Sequence, residues 1–377
     1  MAFCLPGTLS GLSYPQAKGG NVNTLFRTDL SKISASTVNV PVRKRMMCLN
    51  ESCMDPYSII LTSFHERMKD VRLNRYFSPV TDELHTMLTS YVAHQLSPDH
   101  VLYGNGADDI LYHIFLAVRE SEQSFALSLA PSYFDYKTFA LAVGLKVRFL
   151  DLEPDFSFDT YEYIRRASDP NCRLAILCNP NNPTGNLYSK EQLRQIITAL
   201  PDKLVLIDET YYEFSGCTFA DELAQYPNLI LVRSFSKAFS SAGLRFGYAV
   251  SAPSNIAELK KVFTTFHQSI LSSSFALTIL EHKQLFWDQV QGILKLRDEL
   301  YHRMQKYEGL CVYPSATNFL TFKINEGSSD LFEYLKAQEI ALRDVGAHPR
   351  LRDCLRVTIT CEEDVRAFLK ELDEFFS

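Results

Sequence analysis

RLAILCNPNNPTGNLYSKEQLRQIITALPDKLVLIDETYYEF, residues 173–214, holds a complete strand–helix–strand unit. Residues 173–178 are an apolar run with no alternation. Residues 189–200 place Leu193, Ile196, Ile197 and Leu200 at helical spacing, and 204–208 (LVLID) is apolar again. A strand that is apolar on both faces has both faces covered, and a helix between two of them makes the strands parallel. The same alternation extends outward in both directions. Strand candidates lie at 101–103, 125–129, 146–150, 228–233 and 247–250, and 107–119 carries Ile110, Leu111, Ile114, Phe115 and Val118 on one helical face. These segments predict a seven-stranded, mostly parallel α/β sandwich over residues 56–255.

Beyond 256 the pattern changes. Long helical periodicity from Ile256 to Gln305 precedes strand-like 311–313 and 318–323, a helix candidate at 329–338, strand-like 354–360 and a final helix over 362–376. This predicts a smaller α+β domain over 256–377. Residues 1–55 are rich in Ser, Asn, Gly and Pro, and read as an arm that packs on a partner or leads into the small domain.

Composition narrows the function. The chain has 377 residues, enough for two domains, with 46% hydrophobic and 22% charged residues. A net charge of −6 without a basic run argues against nucleic-acid binding. No apolar stretch is long enough for a bilayer, and the N-terminus lacks the basic flank and apolar block of a signal peptide. The nine cysteines show no CxxC or Cys/His cluster, which predicts free thiols in a reducing cytoplasm and no metal site.

Four segments stand at the C-terminal ends of predicted strands, where open α/β sheets bind ligands: GNGADD (104–109), CNPNNPTG (178–185), IDETYYEF (207–214) and RSFSKAFSSAGLRFGY (233–248). Lys237 sits between Phe235 and Phe239; an amine among aromatic and small residues has a depressed pKa that favours Schiff-base chemistry. Ser234, Ser236 and Arg245 supply hydroxyls and a fork-shaped cation suited to a phosphate. In GNGADD the glycines permit a tight turn, and free amides at the helix start can hold an anion, although Asp108 and Asp109 could equally cap the helix. Asp208 ends a buried strand and needs a partner, which a pyridinium nitrogen would supply; Tyr211 could reach a ring hydroxyl. The prolines and Gly185 of CNPNNPTG fix a loop that presents Asn182. Each piece alone has a plainer reading, from exposed lysine to strand connector.

Together, in this order and spacing, the segments resemble fold-type I pyridoxal-phosphate aminotransferases of class I/II, and within them the histidinol-phosphate aminotransferase branch. The likeness continues in LNES (49–52), RY (75–76), PSY (131–133), ATNF (316–319), ALRD (341–344) and CLRVT (354–358), and spans roughly residues 49–370. The resemblance implies a pyridoxal 5'-phosphate cofactor bound covalently at Lys237, which also shuttles a proton. It implies Asp208 at the pyridine nitrogen, Asn182 and Tyr211 at the ring oxygen, and Tyr133 stacked on the ring. The Ala107 and Asp108 amides, Ser234, Ser236 and Arg245 would hold the phosphate, with Tyr76 reaching it from the neighbouring subunit of a homodimer. Arg356 would clamp a substrate carboxylate and Arg343 would assist. The substrates implied are an amino donor and a 2-oxo acid acceptor.

The chain departs from the branch at two places. Where the branch reads asparagine–glutamate–asparagine–proline, this chain has Asn50-Glu51-Ser52-Cys53. After CLRVT, where the branch reads glycine–threonine and a basic residue, it has Thr360-Cys361-Glu362. The second change exchanges expected positive charge for negative, which disfavours a phosphate-bearing substrate. A lyase resembling threonine-phosphate decarboxylase is the alternative on the same fold, faintly echoed by KGGN at 18–21. A regulatory protein that keeps the cofactor without turnover is a third reading, opposed by the intact Lys237, Asp208, Asn182 and Arg356. Neither GxxxxGK[ST] nor GxGxxG occurs, so a nucleotide loop ranks last.

Overall fold

The computed structural model describes residues 27–32, 40 and 42–377. Most of the expected arm over 1–55, and KGGN with it, lies outside the described residues; Thr28–Lys32 form a 3-10 turn in a unit of their own. After β1 (Arg45–Met46) come helices α1 (Pro56–Met68) and α2 (Val80–Val92). The large sheet then follows: β2 (Val101–Gly104), β3 (Phe125–Ala130), β4 (Lys146–Asp151), β5 (Cys172–Cys178), β6 (Leu204–Asp208), β7 (Leu229–Ser234) and β8 (Gly247–Ser251). Helices α3 (Ala107–Val118), α4 (Asp135–Val143), α5 (Thr160–Ala167), α6 (Lys190–Ala199) and the single turn α7 (Tyr212–Ser215) occupy the connections, with α8 (Pro253–Lys260) after the sheet.

The strand order is β2-β8-β7-β6-β5-β3-β4. All pairings are parallel except those of β8, which runs antiparallel to both β2 and β7. This is the α/β fold that the sequence predicts, strand for strand. Alternate residues of β6 show why both faces are apolar. Val205 and Ile207 join a core with Leu88 of α2, Tyr163 of α5, and Leu193 and Ile196 of α6. Leu206 faces the other way, toward Ile110 of α3, Ala140 of α4 and Ile256 of α8. Helix α6 starts where Ser189 accepts a hydrogen bond from the Gln192 amide at 3.1 Å, and buries Leu193, Ile196 and Ile197 at about 2 kcal/mol each.

The chain continues through α9 (Ile270–Glu281), α10 (Lys283–Met304), β9 (Leu310–Val312), β10 (Phe319–Ile324), α11 (Ser328–Ala337), β11 (Ile340–Ala341), β12 (Arg343–Asp344), β13 (Cys354–Thr358) and α12 (Glu362–Phe375). A four-stranded antiparallel sheet, β12-β13-β10-β9, packs under α10, α11 and α12, while β1 pairs in parallel with β11. The division expected at 255–256 does not coincide with a change of core. Helix α9 is buried along Ser273–Leu280, and its apolar residues belong to the same core as α1 and α2. The change falls inside α10, between Phe286, still in the larger core, and Val290, which joins Leu331, Phe368 and Met47 in the second. Helical periodicity shows that 256–305 buries apolar faces but not against which sheet.

Candidate active site

Strands β2, β5, β6 and β7 end at one edge of the sheet, and their loops bring the predicted residues together there. Lys237 lies in the turn after β7, flanked by buried Phe235 and Phe239 whose rings stand 4.4 Å apart. Its Nζ donates to the Leu49 carbonyl at 3.0 Å. Burial first, then the nearby Arg356 guanidinium, pulls the amine down from 10.5 to about 8, against the opposing pull of Glu51 and Asp108. An amine so placed is partly neutral near pH 8 and can act as nucleophile and base.

Asp208 ends β6 and is buried; burial pushes its carboxyl up, and two donors oppose that shift. Tyr136 of α4 donates its hydroxyl to Oδ2 at 2.6 Å, and the Thr210 amide donates to Oδ1 at 3.0 Å. Tyr211 is held from the other side by the Asn50 amide, Nδ2 to Oη at 2.8 Å. Burial raises its phenol and the Arg356 charge works against that.

Arg356 on β13 bridges the two cores. Nη1 donates to Asn182 Oδ1 at 2.6 Å and Nη2 to the Cys48 carbonyl at 3.0 Å, while Nε is buried without a partner. Burial, reinforced by Arg343, pulls the guanidinium down to about 10. Arg343 stands opposite it in register on β12. Two cations side by side, one with an unsatisfied donor, form a seat for an anion.

The anion seat at the other end is built on backbone. Gly106 adopts φ +92° and α3 starts without a side-chain cap, leaving its first amides, including those of Ala107 and Asp108, free to face an anion. A Cβ on Gly106 would meet Arg245 Nη2 at 2.7 Å, and one on Gly247 would meet the Ala107 nitrogen at 2.3 Å. Arg245 takes the left-handed conformation, φ +54°, and pairs with Asp108 at 2.9 Å. Ser234 Oγ accepts from the Ser236 amide at 3.1 Å. Of the two aspartates, Asp109 closes the turn by accepting from the Asn105 amide at 2.9 Å, and Asp108 holds the side chains: Tyr133 donates its hydroxyl to it at 3.0 Å.

These groups fit a pyridoxal phosphate. Asp208 would face the ring nitrogen, Tyr211 and Asn182 the ring oxygen, and the α3 amides, Ser234, Ser236 and Arg245 the phosphate. Tyr76 is the one predicted residue that the described chain leaves apart: it is 77% exposed and stacks on Phe266 at 4.7 Å. Sequence reasoning missed Tyr136, which sits three residues after Tyr133, and gave Asn50 and Leu49 no role. It also missed that Asn181, not Asn182, locks the loop, donating to the Pro131 carbonyl at 3.0 Å and to Thr184 Oγ1 at 2.6 Å.

The family description for aminotransferase class I and II matches residues 47–372. The chain belongs to the class I and II aminotransferases. Among its relatives in this family is the histidinol-phosphate aminotransferase of Thermoanaerobacter pseudethanolicus, 33% identical over 90% of this chain and 96% of that one. The enzyme of the same name from Vesicomyosocius okutanii is 30% identical over 94% and 99%. A solved histidinol-phosphate aminotransferase from Sinorhizobium meliloti, in complex with pyridoxal-5'-phosphate, superposes with a TM-score of 0.79 at 24% identity, over 89% of this aminotransferase and 91% of that chain. The fold is therefore that of fold-type I, and the activity is amino-group transfer with pyridoxal phosphate.

The acidic residues that follow CLRVT in this aminotransferase are paired. Glu362 pairs with Arg366, and Arg45 holds Glu363 at 3.2 Å and Asp364 at 3.4 Å. The charge reversal after CLRVT is neutralised within the first turn of α12 and by Arg45 of β1.

Proposed function

We propose that this aminotransferase moves an amino group from an anionic amino donor, an amino acid or an amino-alcohol phosphate such as histidinol phosphate, to a 2-oxo acid. The carrying observation is the convergence of buried Asp208, Tyr211 and Arg356 with half-buried Lys237 and Asn182. Pyridoxal phosphate, when bound, supplies an electron sink for the charge that develops at the substrate Cα. Asp208, held by Tyr136, would keep the ring nitrogen protonated. Arg356 and Arg343 fix the anionic end of the donor, so that the Cα proton is presented to Lys237. The Lys237 amine would take that proton and hold it for return, and the same residues would act in reverse order on the oxo acid.

The identity of the relatives supports a phosphate-bearing donor, and the paired cations of β12 and β13 accommodate one. The decarboxylase alternative has less support, because the curated relatives that cover nearly the whole chain carry aminotransferase names. The same proposal includes a homodimer in the cytoplasm. The exposed Leu73, Tyr76 and Phe77 support a partner surface, and the described cysteines are all unpaired.

The test is the absorbance spectrum of the cofactor-loaded protein before and after glutamate, with histidinol phosphate in parallel. Conversion to the amino form of the cofactor by either donor supports transfer, and the responding donor fixes the class. A spectrum unmoved by both, with carbon dioxide released from an amino acid, would replace the reading with a decarboxylase. Borohydride reduction followed by peptide mapping should mark Lys237, and a label on another lysine would sink that assignment.

A further inference from the structure

Both departures from the branch place a cysteine: Cys53 three residues after Asn50, and Cys361 three after Thr358. The fold sets these two segments side by side. The Thr358 amide donates to the Met47 carbonyl at 2.9 Å, the Asn50 amide to Thr358 Oγ1 at 3.0 Å, and that hydroxyl to Asn50 Oδ1 at 3.1 Å. Arg45, just upstream, reaches the first turn of α12 through Glu363 and Asp364. Cys53 and Cys361 each lie three residues past these contacts, and burial, then the neighbouring Cys361 thiol, push the Cys53 thiol up to about 11. Cys53 is exposed and Cys361 partly so, whereas Cys48, Cys172, Cys178 and Cys354 are buried.

We propose that Cys53 and Cys361 form a reversible disulfide that ties the Leu49–Cys53 segment to the start of α12 and slows the enzyme. The oxidant is a small-molecule disulfide. One protein thiolate attacks it and expels a small thiolate, leaving a mixed disulfide. The second protein thiolate attacks the protein sulfur of that bond and expels the other small thiolate. Two protein thiols and one small disulfide thus become one protein disulfide and two small thiols, and a dithiol reverses the exchange.

The segment being tied is part of the site wall. Immediately upstream of Cys53, the Cys48 carbonyl receives Arg356, the Leu49 carbonyl receives Lys237, and the Asn50 side chain receives Tyr211. Lys237 must leave Leu49 to react, and Glu51, Ser52 and Met54 of this segment line one open cleft with the Ser236–Gly243 loop that carries Lys237. A covalent tie at Cys53 restricts that movement.

The holoenzyme is incubated with excess oxidised glutathione, alkylated, digested and mapped, and the rate of the donor-induced spectral change is followed alongside. Expected are a peptide linking Cys53 to Cys361 and a several-fold slower spectral change, both reversed by dithiothreitol. Cys53→Ser and Cys361→Ser should each form no such peptide, and oxidation should leave their rates unchanged. Glutathione on Cys53 with no linked peptide overturns the proposal, as does a linked peptide with an unchanged rate. The slowing rests on the aminotransferase reading: a linked peptide in a protein that responds to no donor would refute that reading and leave the disulfide standing.

Discussion

Replacing Lys237 with methionine keeps an apolar stem of similar length and removes the amine. In the folded chain that amine is pulled from 10.5 down to about 8, mainly by burial. At ~1.4 kcal/mol per pH unit this corresponds to about 3 kcal/mol by which the ammonium opposes folding. Between pH 8 and 10.5 the unfolded chain binds the proton that the folded chain has lost, so stability rises with pH across this window. Below pH 8 both states are protonated and the full penalty applies. The variant also orphans the Leu49 carbonyl, which costs about 1 kcal/mol. The cofactor-free Lys237→Met protein should therefore be about 2 kcal/mol more stable than wild type at pH 7. That advantage should shrink from pH 8 upward and reverse by about pH 10.5. Urea unfolding of the two cofactor-free proteins across this range measures it. A variant no more stable than wild type at pH 7, or a difference that ignores pH, would show that Lys237 is not held as a destabilised amine.

Tyr136→Phe removes a 2.6 Å donor from Asp208 without changing shape; turnover should fall about 10- to 100-fold with the cofactor still bound, read by steady-state kinetics beside the cofactor spectrum. Arg356→Lys replaces a fork that reaches Asn182 and Cys48 at once and should lower kcat/KM about 100-fold, with a smaller loss in cofactor affinity. Glu209 and Arg233 form a pair at 2.8 Å that is 1% exposed at each end, so Glu209→Gln should cost about 3–5 kcal/mol in denaturant unfolding, since it leaves a buried cation uncompensated.

The large sheet was legible because its strands are apolar on both faces and its helices on one. Val205, Leu206 and Ile207 can only be a strand between two cores. The cofactor seat was legible for a similar reason: Lys237, Asp208 and Arg245 are costly residues at strand ends. The boundary between the cores was not legible, because α9 is apolar nearly all round and carries no mark of the sheet it covers. Tyr136 was hidden by its ordinary helical position beside Ala140, and its role depends on where β6 ends. Asn50 reaches Tyr211 across 161 positions of sequence, a separation that no local pattern encodes. Tyr76 was readable only through resemblance, and its exposed ring gives this chain alone no use for it.

The reversal of β8 has a further consequence. Ser234, the last residue of β7, pairs with Gly247, the first of β8, so the intervening loop leaves and returns at the same edge of the sheet. Ser236, Lys237 and Arg245 all ride on that one loop. The arginines proposed to hold the substrate, Arg343 and Arg356, come by contrast from β12 and β13, toward the other end of the chain. The protein is thus divided as an inheritance might be: the lysine proposed as anchor and the Ser236 and Arg245 side chains proposed for the phosphate travel as one short cassette. The pair proposed to choose the substrate lies wholly outside it. On the proposed roles, substitutions at that pair would alter donor choice while the cassette stays untouched.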